Sequence, residues 1–119
     1  MNLDQGAVIL VELDPTLGQE QHGTRPCVVV SDPNVTNDQR FPLVCVVPLT
    51  GTQGEGLLYP AVESGGSGLV KKSFALIDHL RCIDKRRVKR IFGQIRGKEL
   101  AALDEGLAAF LGLVGGRNV

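Results

Sequence analysis

Aromatic residues are scarce in this chain of 119 residues. Tryptophan is absent, and the aromatics present are Phe41, Tyr59, Phe74, Phe92 and Phe110. A core must therefore be built mainly from Val, Leu, Ile and Ala, and the branched residues among these favour β-strands. The sequence thus predicts a mainly β protein with an aliphatic interior.

Cysteine is also sparse. Cys27, Cys45 and Cys82 lie in separate apolar runs, and no CxxC spacing occurs. An odd number of cysteines without metal-ligand spacing argues against both a disulfide framework and a zinc site. We expect all three to be small buried hydrophobic residues. This pattern favours a reducing compartment, so we expect a cytoplasmic protein.

Long hydrophobic runs are missing as well. The first apolar run, Ala7 to Val11, follows Asp4 and ends at Glu12, so it does not resemble a secretory leader. No run approaches the roughly 18 apolar residues that a membrane span requires. We expect one domain over residues 1–119 and no membrane partner.

The common signatures of cofactor and metal chemistry do not occur. The chain contains no GxxxxGKS, GxSxG or GxGxxG motif. His22 and His79 are the only histidines, and they are not spaced as a metal-binding pair. Either can transfer a proton, although exposed or hydrogen-bonded structural histidines are commoner. We expect neither a cofactor nor a metal.

The charge is present but unevenly distributed. Residues 1–70 hold eight acids and two bases, whereas residues 71–119 hold eleven bases and five acids, so the net charges of −6 and +6 cancel. The densest basic stretch runs from Arg81 to Arg90. It is either a solvated face or a surface for a polyanion or an acidic protein tail.

Short apolar runs separated by Gly-, Pro- and Asp-rich loops predict strands. After them, Leu and Phe recur every three or four residues from Leu100, which predicts an amphipathic helix that begins at Gly97 and ends at Gly115 and Gly116. A helical turn is expected near Arg86. The predicted strands cover Gly6–Leu13, Pro26–Ser31, Leu43–Leu49, Tyr59–Val62, Ser73–Ile77 and Phe92–Ile95. Because small antiparallel sheets remove their edges by closing, we expect a compact barrel with one C-terminal helix.

Two strand ends could carry chemistry. Pro26 restricts Arg25 to extended conformations, and Gly23 leaves room beside it. A guanidinium held in this way can grip a phosphate through two hydrogen bonds. Thr50 ends an apolar run before Gly51, where its hydroxyl can face a ligand. An ordinary surface arginine and a strand-terminating threonine remain open alternatives.

Three segments resemble one protein family. The stretch GAVILVELDPTLGQEQHGTRPCVVVS, from Gly6, resembles the opening of the MazF/PemK toxin family. VCVVPLT resembles the family's third strand with its terminal threonine, and SFALIDHLRCIDKRRV resembles the later segment that carries an aspartate. The resemblance extends from about Gly6 to the final helix.

The resemblance implies an SH3-like small β-barrel with a C-terminal helix, acting as a homodimer. It also implies a metal-independent endoribonuclease of a toxin–antitoxin pair, which cuts single-stranded RNA by attack of the 2′-hydroxyl and leaves 2′,3′-cyclic phosphate and 5′-hydroxyl ends. Its partner would be a MazE-like antitoxin with an acidic, disordered tail that folds on binding.

The same resemblance assigns roles to residues. Arg25 and Thr50 match the catalytic arginine and threonine, and His22 and Asp78 match a histidine and an aspartate used for proton transfer in some members. Leu76 stands where some members have an arginine, and His79 where the family usually has glutamine. Tyr59 is the nearest aromatic for base stacking. The implied RNA-binding residues are Gln19, Glu20, Gln21, Gly23, Thr24, Gly51, Thr52, Gln53, Ser73, His79 and Arg81.

Two other hypotheses are compatible with the sequence. CcdB-type toxins resemble this pattern in fold but bind DNA gyrase and are not enzymes; they typically carry a tryptophan near the C-terminus, which this chain lacks. The other reading is an inactivated family member that only binds RNA or an antitoxin.

Overall fold

The computed structural model describes residues 2–113 and contains seven strands and two helices in that range. The strands are β1 (Ala7–Glu12), β2 (Thr24–Val29), β3 (Leu43–Thr50), β4 (Ala61–Val62), β5 (Ser73–Ala75), β6 (Arg81–Asp84) and β7 (Val88–Gln94). The helices are α1 (Pro33–Thr36) and α2 (Gly97–Phe110), and Ile77–His79 and Lys85–Arg87 form short 3-10 turns.

The strands form one curled antiparallel sheet in the order β4-β5-β3-β2-β1-β7, with β6 also paired to β3. β3 is long enough to serve two partners on one edge: Leu43–Val46 pair with β6, and Leu49 and Thr50 pair with β5. At the far side, the Gln94 amide donates to the Gly66 carbonyl at 3.1 Å, so β7 meets the segment that follows β4. The curled sheet with its C-terminal helix confirms the predicted fold class.

The alternation of side chains along the strands sorts the core into two clusters, one on each face of the sheet. The first cluster contains Leu3, Ala7, Ile9, Val11, Leu13, Cys27, Val29, Val44, Val46 and Ile83. The second cluster contains Val8, Val28, Val47, Leu49, Val62, Ala75, Ile77, Ile95 and Leu103. Because both faces are buried, these strands read as nearly continuous apolar runs in the sequence.

Helix α2 covers the second cluster and fixes the turn Ile77–His79. Leu103 and Gly106 are buried along the helix. A Cβ at Gly106 would lie 2.3 Å from Cδ1 of Ile77 and 2.6 Å from the Leu57 carbonyl oxygen, so only glycine permits this close approach. The helix therefore holds the segment that carries Asp78 and His79 against the sheet.

Several expectations from the sequence need correction. β6 was not expected, because its RCID sequence offers only one fully buried side chain, Ile83, and its pairing with β3 is a long-range contact. β7 begins at Val88 rather than Phe92, and α2 ends at Phe110 with a left-handed Gly112 after it. Gly115 and Gly116 lie outside the described residues.

Burial differs from expectation at both the cysteines and the helix end. Cys27 is buried, Cys45 is half-buried and Cys82 is exposed, because Cys82 lies on the face of the edge strand β6 opposite Ile83. Phe110 and Leu111, expected on the apolar helix face, are exposed by 42% and 52%. Among the helices in residues 2–113, none combines the length and the apolar character that crossing a membrane requires.

Candidate active site and nucleic-acid interface

Arg25 and Thr50 lie at the same end of two neighbouring strands. The pairing of β2 with β3 ends with Cys27 opposite Pro48, and the same register extended by two residues would bring Arg25 opposite Thr50. Arg25 is in phase with Cys27, and Thr50 is in phase with Pro48, so both side chains belong to the face of the first cluster. At this end of the two strands, the aliphatic side chains of the first cluster are thus followed by a guanidinium and a hydroxyl.

The guanidinium of Arg25 is oriented by the chain before it. Its Nε donates to the His22 carbonyl at 2.9 Å, across a left-handed Gly23 with φ of 75°. Within residues 2–113 no carboxylate forms an ion pair with Arg25, and neither terminal nitrogen has a protein acceptor. The side chain is exposed. These two nitrogens are therefore free to bind an anion from solvent.

Thr50 lines a cavity of about 400 Å³ between the loop that follows β1 and the loop that follows β3. Its Oγ1 accepts a hydrogen bond from the Thr52 amide at 3.2 Å. The cavity is polar over much of its wall. Its lining residues are Gln19, Gln21, Thr50, Thr52, Gln53, Gly54, Tyr59, Leu76 and His79.

A smaller cavity of about 90 Å³ adjoins the first one, since Gln21 and His79 line both. Its other walls are Glu20, Pro48, Leu80 and Arg81. We call the two cavities together the groove. A further cavity of about 450 Å³ lies beside α1 and the turn Lys85–Arg87, and contains none of the site residues expected from the sequence.

Asp78 lines neither cavity, but it contacts two side chains that line the groove. The Tyr59 hydroxyl donates to Oδ2 of Asp78 at 2.8 Å, and this hydrogen bond, with some desolvation, raises the pKa of Tyr59. Nε2 of His79 lies 3.8 Å from Oδ1 of Asp78. Asp78 therefore contacts both the tyrosine and the histidine, and these two side chains line the groove.

The basic stretch from Arg81 to Arg90 is largely occupied by internal contacts. Arg81 Nη1 donates to the Leu13 carbonyl at 3.1 Å. Arg87 Nη1 donates to the Glu12 carbonyl at 3.1 Å and also to that of Asp14. These arginines tie β6 and the turn before β7 to the start of the loop after β1. They fix the side of the groove that carries Gln19 and Gln21.

Three of the four remaining cations of this stretch also have partners, and the fourth, Lys89, is exposed. Arg86 forms hydrogen bonds with Asp84, which lower the pKa of that carboxyl to about 2. Nζ of Lys85 donates to the Asp38 carbonyl at 3.1 Å, and the guanidinium of Arg90 lies 4.9 Å from the Phe92 ring centroid. Most of the basic side chains that could have formed a surface for a polyanion are therefore engaged in contacts within the protein.

The structure gathers about half of the predicted site residues around the groove. Gln19, Gln21, Thr50, Thr52, Gln53 and His79 line the larger cavity, and Glu20 and Arg81 line the smaller one. The predicted residues that line neither cavity are His22, Gly23, Thr24, Arg25, Gly51, Ser73 and Asp78.

Three of these outlying residues have clear local roles. Ser73 is 6% exposed and its hydroxyl donates to the Lys71 carbonyl at 3.3 Å. Thr24 donates to Oε2 of Glu12 at 3.0 Å. The carbonyl of His22 orients Arg25, whereas its imidazole is exposed and lines neither cavity.

Sequence reasoning missed Pro48 and Leu80 as groove residues. The period of two along β3 puts Pro48 on the same face as Thr50, so that signal was present. Leu80 lacked any such signal, because it follows a 3-10 turn whose position is set by α2. Within the described part of the chain, no three His, Cys, Asp or Glu side chains come together as a metal site would require.

Comparison with known proteins yields one consistent family. The model of the PemK-like, MazF-like toxins of type II toxin–antitoxin systems matches residues 4–111. A protein of Staphylococcus saprophyticus subsp. saprophyticus named endoribonuclease MazF is 30% identical over 111 residues, covering 92% of this chain and 91% of its own.

Solved structures share the fold. MazF from Deinococcus radiodurans superposes with a TM-score of 0.80 at 24% identity, covering 94% of this chain and 98% of its own. A mycobacterial endoribonuclease in complex with its cognate antitoxin gives a TM-score of 0.77 at 20% identity, covering 94% and 97%. At these identities the likeness establishes the architecture: a curled antiparallel sheet with a C-terminal helix.

Proposed function

The chain belongs to the family of PemK-like, MazF-like toxins of type II toxin–antitoxin systems, and from this premise we propose that it is an endoribonuclease that cuts single-stranded RNA without a metal ion. The observation that carries the proposal is the pairing of β2 with β3. Extended by two residues, the register of that pairing brings a guanidinium with unpartnered nitrogens opposite a strand-end hydroxyl, at the edge of a polar groove.

In the proposed reaction, the 2′-hydroxyl oxygen attacks the adjacent phosphorus and the bond from phosphorus to the 5′-oxygen breaks. The products are a 2′,3′-cyclic phosphate and a 5′-hydroxyl, so no water is consumed in this step. Arg25 neutralises the negative charge that accumulates on the phosphoryl oxygens, and Thr50 donates a hydrogen bond to one of them. Donors fixed in advance of the reaction are commonly the largest catalytic contribution.

One group must take the proton of the 2′-hydroxyl and another must supply a proton to the leaving 5′-oxygen. Arginine is a poor base, because its pKa is above about 12. We assign the proton transfers to Asp78 and a histidine. Of the two histidines, His79 lines the groove beside Thr50 and lies next to Asp78, which favours it over His22.

Recognition of the RNA sequence is assigned to the groove. Bases of a single strand are splayed out, stacked on side chains and read through hydrogen bonds to their edges. The amides of Gln19, Gln21 and Gln53 each offer donors and an acceptor, and Tyr59 offers a ring. A cavity of about 400 Å³ lined by these groups suits one or two nucleotides beside the scissile phosphate.

An antitoxin partner and a homodimer are part of the same proposal. The mycobacterial relative was solved with its cognate antitoxin, and the Deinococcus radiodurans protein was also solved as a MazE–MazF complex. By analogy, a MazE-like antitoxin with an acidic tail would cover the groove and place carboxylates near Arg25. The protein would act in the cytoplasm, where its RNA substrate is present.

The test is cleavage of a long single-stranded RNA by the purified protein with excess EDTA, followed by mapping of the new ends. We expect cuts at a small set of sequences, with cyclic phosphate and 5′-hydroxyl termini. The Arg25→Ala protein, purified identically, reports any contaminating nuclease. Loss of cleavage in EDTA would refute metal independence, and toxicity without any RNA cleavage would favour a CcdB-like action on another protein.

A further inference from the structure

A lysine ammonium lies on the main chain directly after Thr50. A Cβ added at Gly51 would stand 2.7 Å from Nζ of Lys71 and 2.8 Å from its Cε. The end of the Lys71 side chain thus packs against the surface that glycine leaves open. Any larger residue at position 51 would displace it.

Strand pairing brings the two segments together. β3 and β5 pair with Leu49 opposite Ala75 and Thr50 opposite Phe74. Following this register past the strand ends carries the residues before β5 alongside residues 51–54, the loop that forms one wall of the groove. Lys71 is therefore placed at the rim of the groove by the fold as well as by its own side-chain conformation.

The walls of the larger cavity provide no cation for the phosphates of a bound RNA strand. Its nine lining residues include no lysine or arginine, and Leu76, at the end of β5, contributes an apolar wall. Arg25 provides one positive charge near Thr50. An RNA strand places a phosphate on each side of every nucleotide, so a second cation is expected where the strand continues.

Lys71 is available for that role and its neighbour is not. Within residues 2–113 no carboxylate forms an ion pair with Lys71, which is exposed. Lys72, by contrast, lies 3.5 Å from Oε1 of Glu63 and 5.7 Å from the centroid of the Phe74 ring. The two adjacent lysines thus differ in direction: Lys71 lies against Gly51, just after β3, and Lys72 is held toward Glu63, just after β4.

We propose that Lys71 is a phosphate-binding residue of the groove, contacting the RNA backbone next to Thr50 on the side away from Arg25. The proposal rests on the function proposed above. An ammonium is a compact point charge with three donors on a flexible stem, so it can follow a phosphate whose orientation varies with the sequence being cut. Lys71 thereby contributes binding of the strand rather than selection of a base.

Four variants test this role: Lys71→Ala, Lys71→Arg, Lys72→Ala and Gly51→Ala. Lys72→Ala is the matched control, because it removes the same charge one residue away. Gly51→Ala displaces the ammonium without removing it, and only the flexible end of a side chain has to move. Cleavage is measured on a long RNA of mixed sequence. Binding is measured with a 2′-O-methyl copy of that RNA, which lacks the nucleophile.

We expect Lys71→Ala to weaken binding of the 2′-O-methyl strand about tenfold, the scale of one charge-assisted hydrogen bond. The slope of log K against log salt should become shallower by about 0.7 for the lost phosphate contact. For cleavage, KM should rise while kcat stays close to that of the wild type. Lys71→Arg should restore binding, and Lys72→Ala should leave both slope and KM unchanged.

The double variant Lys71→Ala with Gly51→Ala isolates the contact, since its loss of binding should be smaller than the sum of the two single losses once the ammonium that Gly51→Ala displaces is gone. Equal salt slopes for Lys71→Ala and Lys72→Ala overturn the inference, even when the wild type cuts RNA normally. If the wild type binds the 2′-O-methyl strand but cuts no RNA, the proposed function is refuted. The salt slopes of the variants would then still show whether Lys71 binds a phosphate. A wild type that binds no strand refutes both.

Discussion

Arg25 acquires its position from three short-range constraints. Pro26 keeps its backbone extended, Gly23 permits a left-handed turn before it, and the His22 carbonyl holds Nε at 2.9 Å. This contact restrains the exposed side chain at Nε and leaves the two terminal nitrogens open to solvent. A preorganised donor of this kind costs little entropy when it binds an anion.

Replacing Arg25 tests this account. We expect Arg25→Ala to slow RNA cleavage at least about 100-fold in single-turnover assays, because one preorganised donor is typically worth that much. Thermal unfolding should be unchanged, since the side chain is exposed. Arg25→Lys, which keeps the charge but loses the two-pronged geometry, should fall in between. Full activity of the alanine variant would remove Arg25 from the site.

Cys27 is the titratable residue with the clearest effect on stability. Burial raises the pKa of its thiol to about 12, against a smaller opposing effect of the Arg81 guanidinium. A folded-state pKa above the unfolded value stabilises the protein below the unfolded pKa of about 8.5, and that stability is lost as the pH rises toward the folded value. Alkaline solutions should therefore weaken the fold.

The measurement is the free energy of unfolding as a function of pH above neutrality. Cys27→Ala should show a shallower decline with rising pH than the wild type, by up to about 1.4 kcal/mol per pH unit. Val28→Ala, which shortens another fully buried side chain that does not titrate, should keep the slope of the wild-type curve. Parallel curves for all three proteins would show that Cys27 titrates alike in both states.

At the scale of elements, the loop after β1 is held by two arginines that lie about seventy residues later in the chain. Arg81 reaches the Leu13 carbonyl, and Arg87 reaches those of Glu12 and Asp14. Guanidinium donors to main-chain carbonyls position a loop without adding a carboxylate to the site, which would repel RNA. The loop can thus present Gln19 and Gln21 to the groove in a fixed geometry.

Arg87→Gln should loosen this loop. We expect the amides of residues 13–23 to exchange with solvent at least about tenfold faster, because a hydrogen bond from a charged group contributes about 1.5–3 kcal/mol. Cleavage should slow, although Arg87 lines neither cavity of the groove. Arg86→Gln is the control, since Arg86 is 90% exposed and pairs only with Asp84 within residues 2–113. Identical exchange in both variants would contradict the anchoring role.

At the scale of the whole molecule, large apolar side chains remain uncovered. Ile91 on β7 is 53% exposed, and Phe110, Leu111 and Leu113 at the end of α2 are 42%, 52% and 74% exposed. Apolar surface marks a protein–protein interface when it is contiguous, and Phe110, Leu111 and Leu113 lie close together at one helix end. This exposure supports the proposed homodimer.

Light scattering should therefore give a mass close to twice the 12.7 kDa of the chain at micromolar concentration. Replacing Ile91 and Leu111 by lysine should shift the mass toward that of a monomer, if those side chains are buried between subunits. The matched control is Val70→Lys, because Val70 is 98% exposed and lies apart from β7 and α2 in the chain. A wild type of monomeric mass at all concentrations would contradict the homodimer.

The sequence by itself determined the strands that carry the core, the C-terminal helix and the family. β1, β2 and β3 are runs of branched aliphatic residues between turn signals, so local preference and burial agree there. Arg25 before Pro26 and Thr50 before Gly51 were likewise readable, because a proline and a glycine act on their immediate neighbours. A sequence pattern is sufficient to predict structure where the physical constraint acts between neighbouring residues.

Only the tertiary structure decided which polar residues meet. β6 pairs with β3 across about forty residues of chain, and its sequence shows almost no alternation. The hydrogen bond from Tyr59 to Asp78, the anchoring of the first loop by Arg87 and the approach of Lys71 to Gly51 all join segments well separated in sequence. Such contacts depend on strand register and on the helix that packs over it, and no short-range preference encodes them.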